Sequence, residues 1–160
     1  MIIGLAHTAL HVADLDAATA WYEDVLGFRV LSPPYRIEGE AIEHDMGELV
    51  PAPVVVKAAI VGVDDGSDRV IELVEYPSVA TAQPAPADIT RLGYTHVGLL
   101  CDDVVATRAA LEARGVHFLV SGVARVTGVR TTWFEDPWHN VFILVEKARR
   151  PERPYYRQFP

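Results

Sequence analysis

The sequence predicts an α+β fold made of one small unit used twice. Two observations carry this, and a third locates the chemistry. The stretch from Leu5 to Val30, LAHTALHVADLDAATAWYEDVLGFRV, reads as strand, turn, amphipathic helix and strand, and a variant returns from Thr95 as THVGLLCDDVVATRAALEARGVHFLV. In each copy a His stands seven residues before an Asp (His7 and Asp14, His96 and Asp103), and the helix that follows ends near a Gly. The copies also close on strands that align without a gap, VIELVEY at Val70 to Tyr76 and VFILVEK at Val141 to Lys147. A duplicated unit directs the search for function to the place where the two copies face each other. The third observation is a mismatch in the closing strands: Glu75 matches Glu146, but Glu72 matches Ile143.

The elements follow from the residue pattern. Residues 5–12 alternate, with Leu5, His7, Ala9 and His11 on one face and Ala6, Thr8, Leu10 and Val12 on the other. The second set is mostly apolar and is expected to lie against the helix, which leaves both imidazoles on the open face. Asp14 is an expected N-cap, Ala17, Ala18, Trp21, Tyr22, Val25 and Leu26 recur at helical spacing, and Gly27 closes the helix. A strand follows from Phe28. Residues 32–53, punctuated by six Pro or Gly (Pro33, Pro34, Gly39, Gly47, Pro51 and Pro53), read as an irregular connection of the kind that often binds ligands. Val54 to Val63 and Arg69 to Tyr76 are strands joined by the turn 64–68.

Residues 77–93 form a Pro- and Ala-rich linker, so the first module spans 1–76 and the second 94–147, with a basic, aromatic tail at 148–160. In the second module Asp102 or Asp103 caps a helix that ends at Gly115. Strands are expected at 117–120 and 125–134, and a turn at 136–140 leads into the closing strand.

Composition narrows the function. The 160 residues suit one domain or two small modules, and 50% apolar with 22% charged residues is ordinary globular composition. A net charge of -8 argues against nucleic acid, whose phosphates need clustered Lys and Arg, and gives no footing on anionic lipid. Cys101 is the only cysteine, so neither an intrachain disulfide nor a cysteine-based zinc site is expected. The start of the chain has no basic region with a cleavage site, and no apolar run is long enough to span a membrane, so a cytoplasmic protein is expected.

Glu72 interrupts a strand that otherwise reads as buried, and a carboxylate there is costly unless paired or bound to a cation. His7 and His96 hold equivalent places in the opening strands. If the modules pack about a pseudo-twofold axis, both imidazoles converge on one cleft with Glu72. Two imidazoles and a carboxylate suit a divalent Zn, Fe, Ni or Mn ion. The plainer alternative is a pair of satisfied strand histidines. His11, on the face of His7, is a candidate proton shuttle or a structural hydrogen-bonding group. Tyr76 is a candidate for the cleft wall, and Arg130 for a substrate carboxylate. Trp21, Tyr22 and Phe28 read as core.

The stretches AHTALHVADL…WYEDVLGF, VIELVEY, YTHVGLLCDD and FEDPWHNVFILVE resemble the vicinal oxygen chelate superfamily, which holds glyoxalase I, methylmalonyl-CoA epimerase, extradiol dioxygenases and the fosfomycin and bleomycin resistance proteins. The resemblance implies two βαβββ modules related by pseudo-twofold symmetry, their strands forming a curved mixed sheet around a metal-chelating cleft. Its metal ligands would be His7, Glu72 and His96, with a fourth position at Ile143, which cannot bind a metal. It implies a small-molecule substrate held through neighbouring oxygens in a lyase, isomerase or dioxygenase reaction, and a homodimer. Extradiol dioxygenases of the superfamily take their Glu from the position of Ile143, so the ligand order departs from theirs. The loss at Ile143 also fits a second expectation, a metal-free binding protein of the bleomycin-resistance type.

Overall fold

Strand β1 (His7–His11) opens a unit in which its partner in the sheet is the last strand, β4 (Val70–Glu75), and the two run parallel. Between them in the chain lie α1 (Leu15–Asp24), β2 (Arg29–Ile37), α2 (Glu40–Met46) and β3 (Val56–Gly62), and the sheet order is β1-β4-β3-β2. The second unit repeats this plan with β5 (Val97–Cys101), α3 (Val104–Ala113), β6 (His117–Phe118), β7 (Ala124–Val126), β8 (Val129–Glu135) and β9 (Val141–Glu146), in the order β5-β9-β8-β6, with β7 also paired to β8. This computed structural model describes residues 1–64, 69–80, 88–126 and 128–146. The chain divides into two units at Gln83 and Pro84, inside the stretch read as a linker. Residues 81–87 of that linker, residues 65–68 of the turn and the tail lie outside the described residues.

The alternation read in the opening strand is observed. Leu10 and Val12 are buried, whereas His7, Ala9 and His11 are exposed. Helix α1 packs on β2, β3 and β4 and buries Leu15, Ala18 and Tyr22 against Ala59, Val61, Ile71 and Leu73. Asp14 and Asp103 hold extended backbone and accept N–H groups from the first turns of α1 and α3, which satisfies donors that a helix start leaves unpaired. A second carboxylate reinforces each start. Glu75 accepts the Leu15 N–H at 2.9 Å, and Glu146 accepts the Val104 N–H at 3.0 Å. Each is also paired with a cation on the adjacent strand, Lys57 in the first unit and Arg130 in the second. Tyr22 and Phe28 are core as expected, while Trp21 is half-buried.

Three expectations are corrected. Residues 32–53 are not irregular throughout, because β2 continues to Ile37 and α2 follows. Two prolines are tolerated in β2 because it is the outer strand of its sheet, and its register to β3 shifts between Val30 and Ser32 and again between Ser32 and Tyr35. Helix α2 forms because Ile42 has a core of its own to enter, made with Val54 and Val56 and bordered by Ile37, Met46, Val50 and Tyr76. The strand expected at 125–134 is divided into β7 and β8, which pair with each other, and Gly128 at φ +85 stands in the bend between them. The strand expected at 117–120 is only His117–Phe118.

Candidate functional site

In β4, Ile71, Leu73 and Glu75 face α1, so Val70, Glu72, Val74 and Tyr76 lie on the opposite face. The parallel register sets His7 beside Val70, Ala9 beside Glu72 and His11 beside Val74, which puts His7 and His11 on that same face. His7 Nε2 and Glu72 Oε2 stand 3.1 Å apart, with the carboxylate 22% and the imidazole 47% exposed. Two ligands of one divalent ion, each at roughly 2.0–2.2 Å, stand about 3 Å from each other. The pair therefore fits a metal as well as it fits a hydrogen bond. Farther along the face, the rings of His11 and Tyr76 meet edge to face with centroids 5.2 Å apart, and Tyr76 borders the apolar cluster under α2.

In the second unit, His96 immediately precedes β5. Its Nδ1 lies 2.7 Å from Thr95 Oγ1, and its ring meets that of Trp133 with centroids 4.8 Å apart. Ile143 is half-buried and is paired with Gly98 on one side and Trp133 on the other. The position that corresponds to Glu72 is thus apolar, in an apolar row. Among the described residues no group of three or more His, Cys, Asp or Glu side chains is placed to hold a metal ion. His7 and Glu72 are a two-member pair.

Two charged residues of the second unit, Glu146 and the candidate Arg130, lie on the helix side. Glu146 is on the α3 face of β9, opposite Ile143. Arg130, expected at a substrate carboxylate, is instead directed to the α3 side of β8, where its guanidinium binds Glu146 at 2.5 Å and lies 3.9 Å from Asp103. The Arg130 side chain, followed by the Val104 N–H, holds the Glu146 carboxyl below the usual carboxylate range. Alternation along β8 explains the placement: Arg130, Thr132 and Phe134 share a face, and Thr132 Oγ1 accepts a hydrogen bond from Arg108 of α3 at 2.7 Å.

A cluster that sequence reasoning did not assemble stands at the end of β8. Glu135 is 9% exposed and accepts from two imidazoles, His117 Nδ1 at 2.8 Å and His139 Nδ1 at 2.9 Å. Burial pushes its carboxyl up, but the hydrogen bonds from His139 and His117 outweigh burial and leave it below the ordinary glutamate value. The available signal was the even spacing of Trp133 and Glu135 in β8, but the partner on β6 is 18 residues away in the chain.

A family model, the Glyoxalase/Bleomycin resistance protein/Dioxygenase superfamily, matches residues 4–144. The chain belongs to this superfamily. It is 30% identical to the uncharacterized protein YaeR of Escherichia coli over 131 residues, covering 82% of this chain and 86% of that one. It is 26% identical to the uncharacterized protein YwbC of Bacillus subtilis over 132 residues, covering 82% and 87%. Its fold is similar to the crystal structure of a glyoxalase family protein from Bacillus cereus, with a TM-score of 0.74 at 21% identity over 91% of this chain and 95% of that one. No helix among the described residues is long and apolar enough to cross a membrane.

Proposed function

We propose that the protein is a metal-dependent enzyme that binds a small substrate through two neighbouring oxygens and carries out a lyase or isomerase reaction. The observation that carries this reading is the His7–Glu72 pair, a nitrogen and a carboxylate oxygen 3.1 Å apart on the open face of the sheet. His7 and Glu72 would hold the ion, with His96 of the second unit as third ligand. A bound Zn, Fe, Ni or Mn ion supplies Lewis-acid stabilisation of negative charge on substrate oxygen. His11 and Tyr76, in contact on the face of Glu72, are assigned to orient the substrate, and the α2 cluster beyond Tyr76 favours an apolar group on it. The superfamily's dioxygenase chemistry is the less favoured form, because among the described residues the carboxylate offered to the ion, Glu72, comes from β4 and not from β9. The homodimer and the cytoplasmic location suggested by the sequence belong to the same proposal.

A second reading, a metal-free binding protein of the bleomycin-resistance type, is favoured by the apolar row Gly98–Ile143–Trp133. Metal analysis of protein purified without an affinity tag separates the two. Stoichiometric metal in the wild type, lost in His7→Ala and Glu72→Ala, supports the enzyme. Protein that takes up none of the four ions on incubation sinks it.

A further inference from the structure

The carboxylate absent at Ile143 has a counterpart on the same sheet face. Trp133 and Glu135 alternate to one side of β8, away from α3, and the Trp133 ring touches that of His96. Glu135 is also at the right end of the sheet. It is paired with Val141 at the start of β9, and β9 runs parallel to β5, whose first residue follows His96. The turn that bears His139 therefore lies at the end of the sheet where His96 enters. Two strand spacings, about 10 Å, separate the backbone of Glu135 from that of His96, a span that a small substrate can bridge.

The turn is built to hold this arrangement. Asp136, 2% exposed, accepts the N–H groups of Trp138 and Asn140, at 2.9 and 2.8 Å. His139 is held at φ 64, the only left-handed non-glycine residue among those described, a conformation that L-residues other than Asn and Asp seldom adopt. Its side chain is thereby set on Glu135. An ionised carboxylate only accepts, so each Nδ1 donates its proton to Glu135, and in the neutral imidazole it is Nε2 that carries the lone pair. The two imidazoles, His117 from β6 and His139 from the turn, are the charged or titratable groups that face this carboxylate.

We propose that His139, oriented by Glu135, is the proton acceptor for the substrate bound on the His96 face, and that this pair replaces the carboxylate missing at Ile143. The inference rests on the enzyme reading above. In the step, a C–H or O–H bond of the substrate breaks, its electron pair stays on the substrate, and the proton forms a new bond to His139 Nε2. The resulting imidazolium is stabilised by Glu135, which keeps its charge and acts as a positioning residue. His117, 71% exposed on the outer strand, balances the second oxygen of Glu135.

Nitrogen-15 NMR of histidine-labelled protein tests this in two arms. Without added ligand, His139 is expected to carry its neutral-state proton on Nδ1, and Glu135→Gln to weaken that preference; a proton on Nε2 in the wild type would overturn the proposal. In the second arm the protein is loaded with Zn2+ and titrated with acetohydroxamic acid, a probe with two neighbouring oxygens and one acidic hydroxyl. His139 is expected to become imidazolium as the probe binds, with probe affinity at least tenfold weaker in Glu135→Gln and His139→Gly, while Zn2+ affinity is unchanged in both. Glycine suits φ 64, so the second variant keeps the turn. Probe binding with His139 still neutral, or at wild-type strength in both variants, overturns the proposal. If the wild type takes up no Zn2+, the enzyme reading fails, and the first arm alone decides the orientation of His139.

Discussion

Strands β3 and β8 are equivalent pieces of the two units. Both have seven residues, and their burial alternates identically, VKAAIVG against VRTTWFE. Their positions toward the helix carry the same kinds of groups: Lys57 and Arg130 each bind the last Glu of the neighbouring strand. On the other face they diverge. Gly62 is paired with Val70, and Glu135 holds the equivalent place beside Val141. In the next row Ile60 pairs with Glu72, whereas Trp133 pairs with Ile143. Among the described residues, the open face of each sheet thus carries a carboxylate, but on a different strand. Residues that hold the core are constrained by packing in both copies, and residues on the open face are free to exchange chemistry.

The largest effect expected concerns what the units share. Leu73→Ala and Leu144→Ala remove equivalent side chains, 0% and 3% exposed, and each should cost about 2–5 kcal/mol in urea unfolding. A negligible cost at either position would break the equivalence. The next tests where the units differ. Glu72→Ala should weaken Zn2+ binding at least 100-fold, about 2.7 kcal/mol, and Ile143→Glu should strengthen it at least tenfold in calorimetric titration. An Ile143→Glu variant with unchanged affinity would show that this position is not directed at the ion.

A smaller effect is expected from giving the first unit the carboxylate of the second. A Cβ at Gly62 would stand 3.0 Å from Leu31 Cδ1 and 3.4 Å from the Asp64 carbonyl oxygen. Gly62→Glu should therefore cost about 1–3 kcal/mol through crowding, read as a lower thermal midpoint. The smallest effect is the contribution of Glu135 to acid stability. Its folded value lies below the ordinary one, so its stabilisation is fully present above the unfolded glutamate value of about 4.3 and is lost as pH falls through the folded value. Thermal midpoints of Glu135→Gln should fall less steeply than wild type below that pH. An unchanged slope would mean that the two imidazoles do not favour the ionised form.

Local pattern alone made much of the molecule legible. The period-two alternation at His7 to Val12 assigned the helix-facing and open faces; Asp14 marked the first helix start, and the second was narrowed to Asp102 or Asp103, of which Asp103 is the cap. The matched closing strands revealed the duplication and the exchange of Glu72 for Ile143, because register and face follow from spacing along a single strand. Position alone cannot say what a long side chain binds. The charge of Arg130 makes it a candidate for a substrate carboxylate, but its place in the alternation of β8 turns it to Glu146. Helix α2 was hidden by the glycines and prolines around it, and Ile42 is buried only because Val54 and Val56 return to meet it. The Glu135 cluster was hidden for the same reason, since its three members come from β6, β8 and a turn.

The sequence by itself determined the repeated unit, the helix starts, the faces of the opening and closing strands, and, as candidates together with His96, the pair His7 and Glu72. Only the tertiary structure decided that this pair stands at 3.1 Å, that Arg130 serves a helix cap, and that a buried Glu135 holds two imidazoles. The first group depends on residues a few positions apart, whose geometry the backbone repeats dictate. The second depends mainly on strand pairing between residues 16, 18 and 65 positions apart, which exists only once the sheets have formed.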